Sequence, residues 1–171
     1  TKPAATWKDV DRLADEEKYE EAAKAAEALL AEAKAKGDAA GWTKALVTVT
    51  QLRIGLHGYE TAVRRLREEP WPEGALHRAQ LSLLYGHSLV TYQRAYSWEI
   101  GQRERVDTKG AVDLKAWTRE QILGEALKAA LDVWATREAL GKETPSAAAL
   151  VLTPNDYPKE IRGTLRDAVS Y

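Results

Sequence analysis

The sequence predicts an all-α fold, a tetratricopeptide-like array of about seven or eight antiparallel helices around one long central helix. Three observations lead there. Apolar residues recur at helical spacing between recognisable caps along most of the chain. The stretch from Pro72 to Trp98 is apolar on nearly every side of a helical wheel, so other helices must cover it. Finally, Tyr19-Glu20-Glu21-Ala22 returns 40 residues later as Tyr59-Glu60-Thr61-Ala62, the mark of a repeated helix pair.

Taken in order, Thr6-Trp7-Lys8-Asp9 matches a capping box, and Trp7, Val10 and Leu13 share a face, which predicts a first helix from Thr6 to Glu16. A second runs from Tyr19 to Lys36 on Ala22, Ala23, Ala26, Leu29, Leu30 and Ala33, with Gly37 as its left-handed stop. A third, Gly41 to Leu56, carries Trp42, Ala45, Leu46, Val49, Leu52 and Ile54 and breaks at Gly55 and Gly58. Its Val47-Thr48-Val49-Thr50 run suits a strand, but the neighbouring residues keep helical spacing. The fourth opens at Tyr59 and reaches Glu69. Two helix pairs are thus visible, and neither matches the full 34-residue tetratricopeptide consensus.

The central helix is signalled by Trp71-Pro72-Glu73, with proline in the first turn and a carboxylate at the positive end of the dipole. Leu83, Leu89 and Tyr92 are expected to be buried in it. Residues Val106 to Ala116 have neither periodicity and read as an irregular loop. Thr118-Arg119-Glu120-Gln121 forms a second capping box. The helix it opens runs to Leu140, with Ile122, Leu123, Ala126, Leu127, Ala130, Leu131 and Trp134 as its inward stripe. Arg119, Glu125, Lys128 and Asp132 are expected on its wet side. A short helix from Pro145 to Leu152, a turn-rich stretch from Thr153 to Pro158, and a last helix from about Pro158 with Ile161, Leu165 and Val169 inward complete the chain.

The 171-residue length and 44% apolar content suit one compact domain, residues 1–171, and the 30% charged content argues against direct membrane insertion. Lys and Arg number 25 against 26 acidic residues, so no net field recruits nucleic acid. Without cysteine there are no disulfides, thiolate metal sites or cysteine nucleophiles. His57, His77 and His87 lack the spacing of a zinc-hydrolase helix, Ser82 and Ser88 lack a nucleophile elbow, and no carboxylate stands isolated in an apolar stretch. No catalytic, metal or cofactor site is therefore expected, and the chain reads as no enzyme. A start at Thr1-Lys2-Pro3 and a helix still running at Tyr171 give the expectation of a piece of a larger chain.

One surface cluster, Trp98, Arg103, Arg105 and Trp117, is the candidate interaction patch, because Trp and Arg are enriched at interface hot spots. The structural alternative is that Glu99 and Arg103 form an ordinary i,i+4 pair while Trp98 prolongs the apolar helix. Arg162 and Arg166, beside Asp167, allow the same two readings.

Trp98-Glu99-Ile100 with Gln102-Arg103-Glu104, then Asp113-Leu114-Lys115-Ala116-Trp117-Thr118, then Tyr157-Pro158, Ile161-Arg162 and Leu165-Arg166-Asp167-Ala168 resemble the N-terminal helical region of bacterial alpha-2-macroglobulin-like proteins. Trp7-Lys8-Asp9-Val10, Tyr19-Glu20-Glu21-Ala22 and Trp71-Pro72-Glu73 extend the resemblance over essentially the whole chain. It implies a non-catalytic docking or structural module ahead of macroglobulin-like β-domains, in an endopeptidase-inhibitor family whose members are extracellular or attached to the cell envelope. Its partners would be other domains of the parent chain or another protein. The family's thioester cysteine and bait segment have no counterpart here, and no functional residue carries over. The alternative is a free-standing tetratricopeptide-like adaptor that binds a peptide or protein partner, and a small hydrolase built on a carboxylate pair is a distant third.

Overall fold

The computed structural model describes residues 5–153 and 163–170. Among them the chain is all-α, with eight helices, no strand, and antiparallel packing of adjacent helices. It divides into two compact units, residues 1–72 and 73–171.

The first unit holds α1 (Trp7–Asp15), α2 (Tyr19–Lys36), α3 (Ala39–Gly55) and α4 (Tyr59–Glu68). The expected capping box opens α1: Thr6 N–H donates to Asp9 Oδ2 at 3.0 Å, and Asp9 N–H donates to Thr6 Oγ1 at 3.3 Å. Small buried residues on α2, namely Ala22, Ala23, Ala26 and Ala33, let α3 lie close along it. Val47-Thr48-Val49-Thr50 is helical. The hydroxyls of Thr43, Thr48 and Thr50 donate to the carbonyls four residues back, each at 2.8 Å, which pairs these polar groups within the helix. This helix is covered on almost all sides, with every residue from Gly41 to Thr50 buried or half-buried, a degree of enclosure expected of residues 72–98 alone.

Three successive turns in this unit share one design. Lys18 and Glu17 donate their N–H groups to Leu13 O and Ala14 O, Asp38 and Gly37 to Ala33 O and Lys34 O, and Gly58 and His57 to Arg53 O and Ile54 O. Each is a Schellman closure around a left-handed residue. Those residues are Glu17 (φ 58°), Gly37 (φ 66°) and His57 (φ 63°), spaced 20 apart. Glycine stops α2 as expected, but histidine takes the equivalent position after α3, where Gly55 and Gly58 were expected to make the break. A ladder of charges joins the helices: Glu20 and Glu27 to Arg53, Glu27 and Glu69 to Arg65, and Glu69 to Lys34.

The second unit is built on α5 (Ala75–Ala95), followed by a single turn α6 (Ser97–Ile100), α7 (Arg119–Ala135) and α8 (Leu165–Ser170). The central helix is shorter at both ends than its sequence suggests. Gly74 at φ 113° sets its start, so Pro72 lies outside rather than in the first turn, and the chain breaks again at Tyr96. Leu89 and Tyr92 are buried as expected, whereas Leu83 is only half-buried and Leu81 takes the fully enclosed place. The last two turns also keep a wet face, with His87, Thr91 and Arg94 exposed.

On α7 the inward face differs from the expected stripe. Ile122, Ala126, Ala129 and Val133 are buried, while Leu127, Leu131 and Trp134 are 59%, 53% and 45% exposed. The reason is the closeness of the crossing with α5. A Cβ on Gly86 of α5 would stand 3.4 Å from Ala129 Cβ and 3.5 Å from Ala126 O, so only small residues fit there and the large ones are turned out. Glu125, expected to be wet, has a side chain only 17% exposed and accepts from Tyr85 Oη at 3.4 Å. The helix stops at Ala135, and Arg137–Leu140 and Pro145–Ala148 are 3-10 turns rather than α-helix. Ala79, Val133, Leu140, Ala148 and Leu165 form the core cluster. Residues 163–164 are a bend, so the helix carrying Leu165 and Val169 starts at Leu165; Thr164 Oγ1 caps it by accepting from Asp167 N–H at 3.2 Å. The expected start at Pro158, the Thr153–Pro158 turn beyond Thr153, Ile161 and Arg162 lie outside the described residues.

Candidate functional site

The four patch residues sit around the loop that joins α6 to α7. Because α5 breaks at Tyr96, the following turn is rotated. Ile100 points into the core at 1% exposure, and Trp98 stands 81% exposed instead of prolonging the apolar helix. Tyr92 and Tyr96 pack ring to ring across the break, with centroids 4.7 Å apart.

Arg103 fastens the loop from inside. Its side chain is 12% exposed, and its Nη1 donates to Leu114 O and to Trp117 O, the latter at 3.1 Å, while Nη2 donates to Glu99 Oε1 at 3.1 Å. Burial works against its charge, but hydrogen bonds and attraction from Tyr92 and Glu99 outweigh this and hold its pKa above the ordinary arginine value. One guanidinium therefore closes two chain reversals, using donors in a fixed fork that suits several acceptors at once. The i,i+4 pair with Glu99 exists, and it is the minor part of what this arginine does.

Trp117 is likewise internal, at 7% exposure, with its indole N–H donating to Thr108 Oγ1 at 2.9 Å; that hydroxyl donates on to Ala111 O at 2.8 Å. Asp107 Oδ1 accepts from Lys109 N–H at 2.8 Å, closing a turn through Lys109 (φ 52°) and Gly110 (φ 84°). Gln121 works twice, accepting from Thr118 N–H at 3.0 Å in the capping box and donating to Val106 O at 2.9 Å. The irregular loop is thus an organised one, pinned at both ends. Of the four patch residues, Arg103 and Trp117 hold this loop, whereas Trp98 and Arg105 face solvent.

The sequence reading missed the outward face of α7, where Leu127, Leu131 and Trp134 stand in a row. Arg137 lies over the Trp134 ring with its guanidinium carbon 3.8 Å from the centroid. The signal was present in the residue sizes, since two apolar rows compete on this helix and the row rich in alanine suits a close crossing.

Among the described residues no group of three His, Asp or Glu side chains is placed to hold a metal ion, and no helix is long and apolar enough to cross a membrane. Ser82 and Ser88 are buried in mid-helix. Comparison with protein-family models, curated proteins and solved structures gives no match.

Proposed function

We propose that this chain is a non-catalytic helical docking and structural module, built from tetratricopeptide-like helix pairs, and that it stands ahead of macroglobulin-like β-domains in a bacterial protein of the extracellular space or cell envelope. The observation that carries the scaffold part is the recurrence of one turn at residues 17, 37 and 57. Equal helix spacing and identical turns are what stacked helix pairs require, and such arrays act by presenting surface to other polypeptides. The macroglobulin parent is supported by the sequence motifs quoted above.

The second reading is a free-standing adaptor that binds a peptide or protein partner, and the same repeat favours it, because a helix-pair array is itself a binding architecture. The encoding gene decides between the two. A long continuation past Tyr171 with the period-two patterning of β-domains supports the macroglobulin parent, and a stop codon there supports the adaptor. Docking is then tested by adding that continuation, expressed separately, to the purified chain in a calorimeter. Absence of binding at about 100 µM contradicts docking to the parent's own domains.

A further inference from the structure

Residues Glu104 to Asp107 are exposed, and the chain from Arg103 to Thr108 runs without helix, turn or bend, at negative φ throughout. Among the described residues Glu104 and Arg105 make no hydrogen bond, and Val106 and Asp107 leave their N–H groups open. The main chain here is tied at two points: Arg103 N–H donates to Ile100 O at 3.1 Å, and Gln121 Nε2 donates to Val106 O at 2.9 Å. An endopeptidase pairs with the main-chain groups of an extended substrate and reads one side chain in a pocket. A helix or a tight turn must unfold before it can be read in this way.

Arg105 is the basic residue presented so, exposed and in no ion pair among the described residues. Arg103 is turned inward. Lys109 sits at φ 52° with its N–H bonded to Asp107, and Lys115 lies in a turn with its N–H 3.2 Å from Asp113 Oδ1. Apart from Lys18, whose N–H donates to Leu13 O at 2.8 Å, the other Lys and Arg side chains of residues 5–153 lie on helices or turns.

We propose that Arg105 is a recognition and cleavage site for an endopeptidase whose primary pocket carries a carboxylate, and that this enzyme hydrolyses the Arg105–Val106 bond. Water adds across the amide, leaving a carboxylate on Arg105 and an ammonium on Val106. The product stays together. The mutually packed α5 and α7 then belong to different fragments, and Arg103 of one still donates to Leu114 O and Trp117 O of the other. The chain is a substrate here, and the enzyme leaves unbound. This inference stands apart from the docking reading, which survives its failure.

The test is limited digestion of the full chain with trypsin, whose pocket carries such a carboxylate, followed by intact mass. Among residues 5–153 the first cut is expected after Arg105, with Lys109 and Lys115 uncut while Arg103 holds the loop. Fragments 1–105 and 106–171 should co-elute in size exclusion until denaturant is added. Arg105→Gln should abolish that cut and leave the circular dichroism spectrum unchanged. Gln121→Glu keeps the acceptor of the α7 capping box but loses the donor to Val106 O, so the same bond should be cut severalfold faster. No cut in the loop, a first cut after Lys109 or Lys115, fragments that separate without denaturant, or an unchanged rate in Gln121→Glu overturns the proposal. So does elastase, whose pocket is small, cutting after Val106 as fast as trypsin cuts after Arg105, because the loop is then merely exposed.

Discussion

The three left-handed turn positions form a ready-made experiment, because the same backbone conformation is occupied by glutamate, glycine and histidine. A side chain at positive φ costs roughly 1–2 kcal/mol in backbone strain, while exchanging it for glycine loosens the unfolded chain at a cost of about 0.4–1 kcal/mol. The net expectation is that Glu17→Gly and His57→Gly each stabilise the first unit by about 0.5–1 kcal/mol. Both side chains are exposed, so little else changes. Gly37→Ala should do the reverse, losing a similar amount, and its new Cβ meets no atom within 4 Å, so packing does not enter. For a unit of this size 1 kcal/mol moves the Tm by about 4–8 °C. Urea unfolding followed by tryptophan fluorescence and far-UV circular dichroism reads the changes, and the two stabilising substitutions should add except for any coupling carried by the Glu20–Arg53 ion pair that joins the two turns. If Gly37→Ala is neutral, or if the two glycine substitutions destabilise, the equivalence of the three turns is wrong.

On α7, Ile122→Ala should cost about 2–5 kcal/mol through lost burial and a cavity, whereas Leu127→Gln should stay within about 0.5 kcal/mol; equal costs would restore the stripe first read from the sequence. Arg103→Ala should leave α5 and α7 intact by circular dichroism while opening residues 104–116 to proteolysis and rapid hydrogen exchange, because two carbonyls lose their donor; an unchanged digestion pattern would contradict its fastening role. Burial alone would raise the pKa of Glu27 and of Glu69, but hydrogen bonds from Arg53 and Arg65 to the first and from Lys34 to the second outweigh it and hold both below the ordinary value. Carboxylates depressed in the folded state add stability that is present above their unfolded pKa and lost as the pH falls through the folded one. The first unit should therefore hold its stability down to about pH 5 and lose it below about pH 4, and Glu27→Gln should flatten that loss.

Much of the first unit is legible because its signals are local. Thr6 and Asp9 announce the start of α1 within four residues, and alanine periodicity together with Gly37 bounds α2 at Tyr19 and Lys36. The β-branched run in α3 is helical, as the helical spacing of its neighbours predicts. Signals failed where a second element decides. Pro72 looks like a first-turn proline, but Gly74 at φ 113° redirects the chain before the helix begins. The orientation of α7 depends on Gly86 in another helix, which no periodicity within residues 119–135 records. Arg103 and Trp117 stand out in the sequence by their chemistry, yet Arg103 bonds carbonyls 11 and 14 residues away, and such partners leave no trace in local spacing.

On the docking reading proposed above, the chain acts by position and surface and neither cleaves nor traps a protease. Covalent trapping in the macroglobulin family uses a cysteine thioester, and this sequence has no cysteine. The direct measurement is to incubate the purified chain at equimolar ratio with several endopeptidases and follow cleavage of a large protein substrate. The account predicts identical cleavage rates with and without the chain. Stoichiometric protection of the substrate would contradict it.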